Sequence, residues 1–331
     1  MTRPRLSIVV VAFDMARELP RTIRSLLPPY QTGVAPGAVE IIIADNGSTD
    51  PVRAEWFDAD APVTILRVDD GGASPCIAIN RAAAMAKGER IAVAVDGARM
   101  ASPGLVQGAL QAMAVHPDAF VATLGFHLGP KVQQVSVAEG YTRAVEDGLL
   151  AGIGWPADGY RLFEICALGE SYAEGAFRSP PETTFFVMDR ARFLERGGFN
   201  EGFRALGGGF ANYDAFERLS ADGPLVMLVG EGTFHQLHYG ATTQEGGIRR
   251  RLPGEEEALA DAYHRDYRAA TGRDYVRTDR TPILYGRVTH PRVRPLFFPS
   301  ASTAHRPIRR RTSPDFPIGT ADFPLRDQRS L

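Results

Sequence analysis

The sequence is poor in cysteine, with only Cys76 and Cys166 among 331 residues. The two form no CxxC pattern and no mixed Cys and His spacing, so neither a zinc site nor a redox dithiol is indicated. We expect both to be reduced thiols in the core. Reduced cysteines are typical of cytoplasmic proteins, and the cytoplasm is the location that we expect for this chain.

Long apolar runs are also absent. A helix that spans a bilayer needs about 20 consecutive apolar residues, and no stretch approaches this length, so we expect no transmembrane segment. The run from Leu6 to Phe13 follows basic residues, as in a secretory signal, but it is short and ends at Asp14. Since no small-residue cleavage site follows directly, we interpret this run as a buried strand.

An excess of charge of one sign is missing as well. The chain has 37 Lys and Arg residues against 39 Asp and Glu residues, a formal charge of −2. This balance gives no general attraction to nucleic acid or to anionic membranes, so we expect no nucleic-acid partner and only local binding of charged ligands. The sequence leaves a homo-oligomer open.

Two phosphate-binding loops are missing too. No GxGxxG and no P-loop follows the first predicted strand, where Ala12, Phe13, Asp14 and Met15 stand. This absence weighs against a dinucleotide oxidoreductase. A sugar-phosphate nucleotidyltransferase is a closer alternative, but the Gly-rich loop with Arg and Lys that would bind a triphosphate is absent.

Buried strands and amphipathic helices do alternate regularly along the chain. The predicted strands are 6–12, 40–44, 63–68, 91–95, 184–188 and 225–229. The predicted helices begin near Leu19, Ser74 and Ser102 and then cover 190–196, 214–221 and 255–270, while 132–153 is compatible with a helix. This pattern favours an α/β fold with a mostly parallel, Rossmann-like sheet flanked by helices.

Three acidic residues come just after three of the predicted strands. They are Asp14, Asp45 and Asp96. The carboxyl ends of parallel strands meet at one edge of a sheet, where the ligands of such sheets bind. We therefore expect the three carboxylates to line one ligand site.

Five segments, in this order, resemble the family 2 glycosyltransferases that have the GT-A fold. They are SIVVVAFDMARELPRTIRSLL, VEIIIADNGSTD, INRAAAMAKGERIAVAVDGA, GGFNEGF and ANYDAFERL. The resemblance implies transfer of a sugar from a nucleoside-diphosphate donor, with inversion. The implied acceptor is a saccharide, a lipid-linked molecule or a small molecule.

The resemblance also suggests a division of the chain. Residues 1–248 are predicted to form the GT-A domain, with a nucleotide-binding half at 1–125 and an acceptor-binding half at 126–248. Residues 249–331 are polar and rich in Pro and Arg, including Arg309, Arg310 and Arg311. We expect one helix there, followed by an extended tail.

The donor site is implied to lie at the carboxyl ends of the first strands. The resemblance implies that Asp45 accepts hydrogen bonds from the imide and the ribose of the nucleotide. The same Asp-Asn-Gly-Ser sequence also favours an Asx turn or a helix cap, and the two roles are compatible. The other donor-binding residues that we expect are Ala12, Asp14, Asn80, Asp96, Gly97 and Arg99.

Members of the family typically carry a DxD motif that binds the ribose and a divalent cation, Mn²⁺ or Mg²⁺. Here the motif begins at Asp96, but Ala98 replaces the second carboxylate. Two alternatives remain. In the first, Asp96 binds the cation together with a histidine, for which His235 is the first choice and His238 the second; in the second, Arg99 neutralises the diphosphate without a metal. The histidines could instead be hydrogen-bonded core residues.

The general base of the family is usually an Asp in an ED-containing motif before a helix that ends in Arg-Leu. Asn212 occupies this position, and an amide cannot act as a base. Asp214 and Glu182 are the nearest alternatives, although Asp214 could simply cap its helix. The three glycines at 207–209 are predicted to form a mobile loop over the site.

These departures keep a second class of function open. A protein that has lost both the second DxD carboxylate and the base Asp could bind a nucleotide sugar or a glycan without catalysis.

Overall fold

The computed structural model describes residues 3–238, 255–288 and 293–299. Among these residues, ten strands form one sheet. The strands are β1 (Leu6–Ala12), β2 (Val39–Asp45), β3 (Val63–Arg67), β4 (Arg90–Ala94), β5 (Arg99–Ala101), β6 (Phe120–Leu128), β7 (Cys166–Leu168), β8 (Phe185–Asp189), β9 (Leu225–His235) and β10 (Ile283–Gly286).

The helices cover both faces of this sheet. They are α1 (Leu19–Leu26), α2 (Cys76–Met85), α3 (Leu105–Val115), α4 (Gln133–Ala138), α5 (Arg143–Gly152), α6 (Arg190–Glu195), α7 (Ala211–Leu219), α8 (Glu255–Thr271) and α9 (Arg294–Phe297). Short 3₁₀ helices lie at Ala54–Trp56, Gly159–Glu164, Glu170–Tyr172, Gly175–Phe177 and Leu206–Gly208. None of the described helices is both long enough and apolar enough to cross a bilayer.

The order of the strands determines which turns meet. The order is β10-β9-β6-β8-β4-β1-β2-β3, with β5 paired to β9 and β7 paired to β6. β1 to β4 run in parallel, β6, β9 and β10 also run in parallel, and β8 lies antiparallel between β4 and β6. The carboxyl ends of β1, β2, β4, β6 and β9 therefore lie at one edge of the sheet.

β1 is buried along its whole length, because both faces of the sheet are covered. Its side chains alternate in direction, as in any strand. Ile8 and Val10 pack in the core that includes α1 and α3, whereas Val9 and Val11 pack in the core that includes α2 and α7. The continuous apolar run in the sequence thus reflects a central strand between two layers of helices, and the predicted α/β fold class is confirmed.

The predicted strand 225–229 is too short. β9 continues to His235 past a bulge, where the register with β6 shifts between Thr123 and Leu124. Gly230 has a φ of 86°, and a Cβ there would lie 2.0 Å from the carbonyl oxygen of Arg287, so only glycine fits. The bulge lets β9 bend and still deliver His235 to the edge of the sheet.

Two helix predictions differ from the structure, and a third is confirmed. Residues 132–153 form two helices, because Gly140 has a φ of 95° and ends the first of them. The helix predicted to begin at Asp214 begins at Ala211, and the helix predicted at 255–270 is confirmed as α8. The boundary predicted at residue 248 and the tail with Arg309, Arg310 and Arg311 lie outside the described residues.

Phe120 links the sheet to α7, and its loss provides a test of the packing. The centroid of the Phe120 ring lies 4.7 Å from that of the Phe186 ring. It lies 5.6 Å from the centroid of the Phe216 ring, which it meets edge to face. We predict that Phe120→Ala lowers the free energy of unfolding by about 3 to 5 kcal/mol in urea titrations, because a buried aromatic leaves a cavity. Phe13→Ala is the matched control: the Phe13 side chain is 50% exposed, and we expect a change below about 0.5 kcal/mol. An equal loss of unfolding free energy in the two variants would contradict this packing.

Candidate active site

Four strand ends bring the predicted donor-site residues to one edge of the sheet. Ala12, the last residue of β1, pairs with Asp45, the last residue of β2. Asp96 follows β4, and His235 ends β9. Ala12 is buried, and its carbonyl oxygen accepts a hydrogen bond from the Asn46 N–H at 2.9 Å. The two turns after β1 and β2 are therefore directly joined.

Asp14 ties the β1 turn to the β2 turn. Its backbone has a φ of 51°, in the left-handed region, where a non-glycine residue is uncommon. The Asp14 N–H donates to Ser48 Oγ at 3.0 Å, and the Asp14 carboxylate accepts from the Thr49 N–H at 2.7 Å and the Thr49 hydroxyl at 3.2 Å. These bonds hold the turn, and a direct contact of Asp14 with the donor stays a prediction.

Asp45 is almost completely buried and holds the turn that follows it. Its carboxylate accepts from the Ser48 N–H at 2.9 Å, the Val52 N–H at 3.1 Å and Arg67 Nη1 at 3.0 Å. Burial opposes ionisation, but these hydrogen bonds outweigh it and lower the pKa of Asp45. Both oxygens are used within the protein, which corresponds to the Asx-turn role, so a direct donor contact stays a prediction.

Asn46 is a residue that the sequence analysis missed. Its amide nitrogen donates to the carbonyl oxygen of Gly72 at 3.1 Å, whereas its Oδ1 is buried with no partner among the described residues. A Cβ on Gly71 would lie 2.2 Å from Oδ1, so the glycine leaves this oxygen its space. A buried acceptor without a donor is costly unless a ligand supplies one. The signal in the sequence was the Asn that follows Asp45.

Asp96 meets two histidines from the end of β9. Its Oδ2 lies 2.7 Å from His235 Nε2 and 3.4 Å from His238 Nε2, and the two Nε2 atoms are 3.1 Å apart. Asp96 Oδ1 accepts from the Ala98 N–H at 2.9 Å, which fixes the carboxylate. The three ligand atoms lie within 4.8 Å of one another, close enough to bind one cation.

Gln133 determines which nitrogen of His235 is free. The Gln133 amide nitrogen donates to the His235 carbonyl oxygen at 2.9 Å, so the Gln133 Oε1 faces His235 Nδ1 at 2.6 Å and accepts its proton. The lone pair of His235 Nε2 then points at Asp96. Metal-binding histidines are usually oriented by such a second hydrogen bond.

The charges of this cluster are strongly coupled. Burial lowers the pKa of His235 to about 4, even though Asp96 opposes this, so His235 is neutral near pH 7. Burial raises the pKa of Asp96, but its interactions with His238 and His235 together lower it by more, so the pKa of Asp96 lies well below its ordinary value. Burial lowers the pKa of His238, but the Asp96 charge, the hydrogen bond with Asp96 and the Glu18 charge together raise it by more. A charged carboxylate beside two imidazoles is an arrangement that can hold a cation.

The donor set can be compared with the two cations that we expected. A set of two imidazoles and one carboxylate suits divalent transition metals. Mg²⁺ prefers oxygen ligands and retains most of its water. Of the two cations, Mn²⁺ therefore fits these residues better, and the identity of the metal stays a prediction.

The missing DxD carboxylate has a structural reason. Ala98 is fully buried in the core with α1 and α3, and its carbonyl oxygen accepts from the Gln236 N–H at 2.8 Å. A carboxylate at this position would be buried without a partner. Gly97 also serves packing, because a Cβ there would lie 2.3 Å from the carbonyl oxygen of Val11.

Arg99 lies in the same row of the sheet as the histidines. It is paired with His235, which is paired in turn with His127 on β6. The Nε of Arg99 is buried and has no partner among the described residues. The sequence analysis left two alternatives to the second DxD carboxylate open, a histidine and a guanidinium. Both groups lie at this site.

A buried charge network holds the backbone between the two histidines. The Leu237 N–H donates to Glu146 Oε2 at 2.9 Å, and its carbonyl oxygen accepts from Arg17 Nη1 at 3.3 Å. Arg17 also pairs with Glu146 at 3.2 Å and with Glu18 at 2.8 Å. Because Leu237 lies between His235 and His238, this network limits where both rings can lie. The sequence analysis did not find it, since its members come from the turn before α1, from α5 and from the segment after β9.

Glu182 and Asn212 meet on the other side of the site. Asn212 Nδ2 donates to Glu182 Oε2 at 2.8 Å, and the Ser171 hydroxyl donates to Glu182 Oε1 at 2.7 Å. Asp214 is buried elsewhere on α7 and pairs with Arg218 at 3.1 Å. The Asp214 carboxylate thus neutralises an arginine of its own helix, and its role as the base stays a prediction.

Asn80 contacts the segment that follows α6. Its amide bonds to the N–H and the carbonyl oxygen of Phe199, both at 2.8 Å, and to Glu201 at 2.9 Å, and its role in donor binding stays a prediction. The glycines at 207–209 form a hydrogen-bonded turn, in which the Gly207 N–H donates to the Ala73 carbonyl oxygen at 3.0 Å. These glycines have φ values of 69°, 87° and 51°, so they are needed for the turn itself and do not indicate a mobile loop.

Comparison with known proteins gives one family and one group of structures. Residues 7–141 match the sequence model of the family described as Glycosyl transferase family 2. No curated protein matches the chain.

The solved structures with a similar fold include S. aureus TarS. Residues 1–349 of TarS in complex with UDP-GlcNAc show 12% identity and a TM-score of 0.49, with 81% of this chain and 67% of that chain covered. Residues 1–349 of TarS, in a structure described without a ligand, show 11% identity and a TM-score of 0.44, over 81% of this chain. For TarS itself the identity is 10% and the TM-score 0.47, over 81% of this chain. The present chain spans 66% of the length of the TarS 1–349 chain and 40% of the length of TarS.

Removal of Gln133 tests the orientation of His235. We predict that Gln133→Ala raises the Kd of Mn²⁺ about 10- to 100-fold, because the Nδ1 proton of His235 loses its acceptor. His235→Ala removes a ligand and should have at least as large an effect. Titration calorimetry with MnCl₂ measures both. His116→Ala, on the opposite side of the sheet after α3, is the matched histidine control, and Mn²⁺ binding that is unchanged in all three variants would contradict the site.

The binding of Mn²⁺ should also depend on pH. The protonated form of His238 cannot bind a metal, and the pKa of His238 lies above its ordinary value. We therefore expect the Mn²⁺ affinity to fall as the pH drops through a value above that of an ordinary histidine, about 6.5. Asp96→Asn should move the pKa of His238 down, because it removes the charge that raises it. A calorimetric titration from about pH 5.5 to about pH 8.5 measures this, and a pH-independent affinity would exclude a histidine ligand.

Proposed function

We propose that this chain, whose residues 7–141 match the sequence model of glycosyl transferase family 2, is a glycosyltransferase that uses a nucleoside-diphosphate sugar and inverts the anomeric centre. The observation that supports this proposal most strongly is the convergence of Asp96, His235 and His238 at the carboxyl edge of the sheet. A site for a divalent cation at this edge is suited to a diphosphate, since the leaving group develops negative charge.

The diphosphate is proposed to bind between the cation site and Arg99. Asp96, His235 and His238 would hold a divalent cation, and such a cation would supply positive charge to the diphosphate as the glycosidic bond breaks. The unpartnered Nε of Arg99 provides a charge-assisted donor in the same row of the sheet. Together they replace the second DxD carboxylate, whose position is occupied by buried Ala98.

The nucleoside is proposed to bind between the turns after β1 and β2. The Phe13 ring is half exposed at the end of β1 and offers a face on which a base can stack. Asn46 Oδ1 is an acceptor that still lacks a donor. An N–H on the edge of a base, as in uracil and guanine, would satisfy it. Asp45 and Asp14 then act by holding the turns that shape this pocket.

The acceptor is proposed to approach from the side of Ser171, Glu182 and Asn212. This part of the edge is built from a 3₁₀ helix, a loop and α7, which lie in the predicted acceptor-binding half, residues 126–248. A saccharide, a lipid-linked molecule and a small molecule all remain candidates, because each can present the required hydroxyl.

The second candidate function is a protein that binds a nucleotide sugar without catalysis. The observations in its favour are Ala98 and Asn212, which replace two carboxylates of the family pattern. The contact between Asn212 and Glu182 weighs against it, because a carboxylate is still supplied near the position of the lost one. Release of UDP or GDP from nucleotide sugars by the purified protein with MnCl₂ separates the two functions.

Binding of UDP and GDP tests the donor site. We predict that Asp96→Asn raises the Kd of the preferred nucleotide at least about tenfold with Mn²⁺ present, since charge-assisted contacts contribute about 1.5 to 3 kcal/mol. Without a divalent cation, the wild-type protein should show the same loss. Asp118→Asn is the matched control: Asp118 is exposed and lies before β6, at the opposite edge of the sheet.

Phe13→Ala provides the second arm of this experiment. A loss of stacking should raise the Kd of the nucleotide about tenfold or more, whether or not Mn²⁺ is present. Titration calorimetry measures all of these variants. If Asp96→Asn and Phe13→Ala bind UDP and GDP as tightly as the wild-type protein, the proposed donor site is wrong.

A further inference from the structure

We infer that Glu182 is the general base of the proposed transfer and that Asn212 is the residue that positions it. This inference rests on the proposed function, since a base is required only if a sugar is transferred. The family pattern puts the base on the helix, at the position of Asn212. Here the carboxylate comes from the loop before β8, and the helix supplies the amide that holds it.

The contacts of Glu182 leave its carboxylate able to accept a proton. Both of its hydrogen-bond partners, Asn212 Nδ2 at 2.8 Å and Ser171 Oγ at 2.7 Å, are uncharged donors. No cation among the described residues forms an ion pair with it, and the side chain is only partly buried. Asp214 differs on each point, because it is buried and paired with Arg218. A base needs a free lone pair and a path by which the substrate can approach it. Of these two carboxylates, only Glu182 retains both.

Glu182 lies in the loop before β8, at the edge of the sheet that carries the proposed donor site. Ala94 on β4 pairs with Phe185 on β8, and the Val95 N–H donates to the Thr184 carbonyl oxygen at 3.2 Å. Because the strands are antiparallel, the residues after β4 and before β8 lie at the same edge. Glu182 and Asp96 therefore flank neighbouring strand ends.

Tyr172 gives a second indication of this proximity. Its hydroxyl accepts from the Thr184 N–H at 3.1 Å. Burial raises the pKa of Tyr172, and the charges of Glu182 and Arg99 act on it in opposite directions. The carboxylate assigned to the acceptor and the guanidinium assigned to the diphosphate are thus both close to one phenol.

The loop that carries Glu182 is held by a segment after α8. The Arg277 guanidinium donates to the Ser179 carbonyl oxygen, and the Tyr275 hydroxyl donates to the Pro181 carbonyl oxygen at 3.5 Å. Together with Asn212, these contacts bind the loop from both sides. A positioned carboxylate is what proton transfer in a transition state requires.

The proposed step balances as follows in atoms and electrons. The hydroxyl oxygen of the acceptor attacks the anomeric carbon and forms the new C–O bond. The bond from this carbon to the diphosphate oxygen breaks, and its electron pair leaves with the nucleoside diphosphate. The hydroxyl proton passes to the Glu182 carboxylate, which later releases it to water.

A swap of the two side chains tests this assignment. The assay follows release of UDP or GDP from UDP-glucose, UDP-galactose, UDP-GlcNAc and GDP-mannose with MnCl₂, with water as the acceptor. We expect Glu182→Gln to lower kcat at least about 100-fold, as for the loss of a general base, with little change in the Kd of UDP or GDP. The double variant Glu182→Gln with Asn212→Asp moves the carboxylate across the hydrogen bond, and it should recover at least about tenfold over Glu182→Gln.

Glu89→Gln is the matched control. Glu89 is exposed and directly precedes β4, at the opposite edge of the sheet, so its loss should leave kcat unchanged. Thermal unfolding of each variant shows whether the fold is retained. A Glu182→Gln protein with wild-type kcat, or a folded double variant with no recovery, overturns the base assignment and leaves the proposed function intact. No release by the wild-type protein from any of the four donors overturns the proposed function and this inference with it.

Discussion

The site depends on the contact between Asp96 and His235, which are 2.7 Å apart where the chain leaves β4 and passes the end of β9. Gln133 Oε1 faces Nδ1 of His235, so Nε2 of His235 faces the Asp96 carboxylate. His238 Nε2 lies 3.4 Å from the same carboxylate oxygen. A positive charge within this group, either a cation or the proton of His238, favours the contact, and the proposed reaction uses the cation.

The rest of the molecule is arranged so that this contact can form. The bulge at Gly230 extends β9 to the edge of the sheet, and the Arg17 and Glu146 pair holds the backbone at Leu237. The family pattern uses two carboxylates of one turn for the same purpose. In this chain the second position of that turn is packed into the core as Ala98, and the ligands come from a distant strand. The same displacement occurs at the proposed base, where Asn212 on α7 receives its carboxylate from Glu182.

Much of the fold could be predicted from the sequence, because buried strands of a parallel sheet appear as continuous apolar runs. The convergence of Asp14, Asp45 and Asp96 on one edge follows from that topology, and His235 could be selected because it follows a late strand. The uses of individual polar atoms could not be predicted. Both carboxylate oxygens of Asp45 accept hydrogen bonds within its own turn, and the Asn80 amide is hydrogen-bonded to Phe199. Asp214 neutralises Arg218. Asn46, Gln133 and Glu146 were missed, because their roles depend on partners that are distant in the sequence.

The central claim is that Asp96, His235 and His238 bind the cation in place of a second DxD carboxylate. Anomalous X-ray scattering from crystals grown with MnCl₂ and UDP tests it most directly. The account predicts one manganese peak bonded to Asp96 Oδ2 and His235 Nε2 at about 2.0 to 2.3 Å, as is usual for divalent transition metals, with the diphosphate on its open side. A manganese bound elsewhere, or UDP bound with no metal beside these residues, would contradict it.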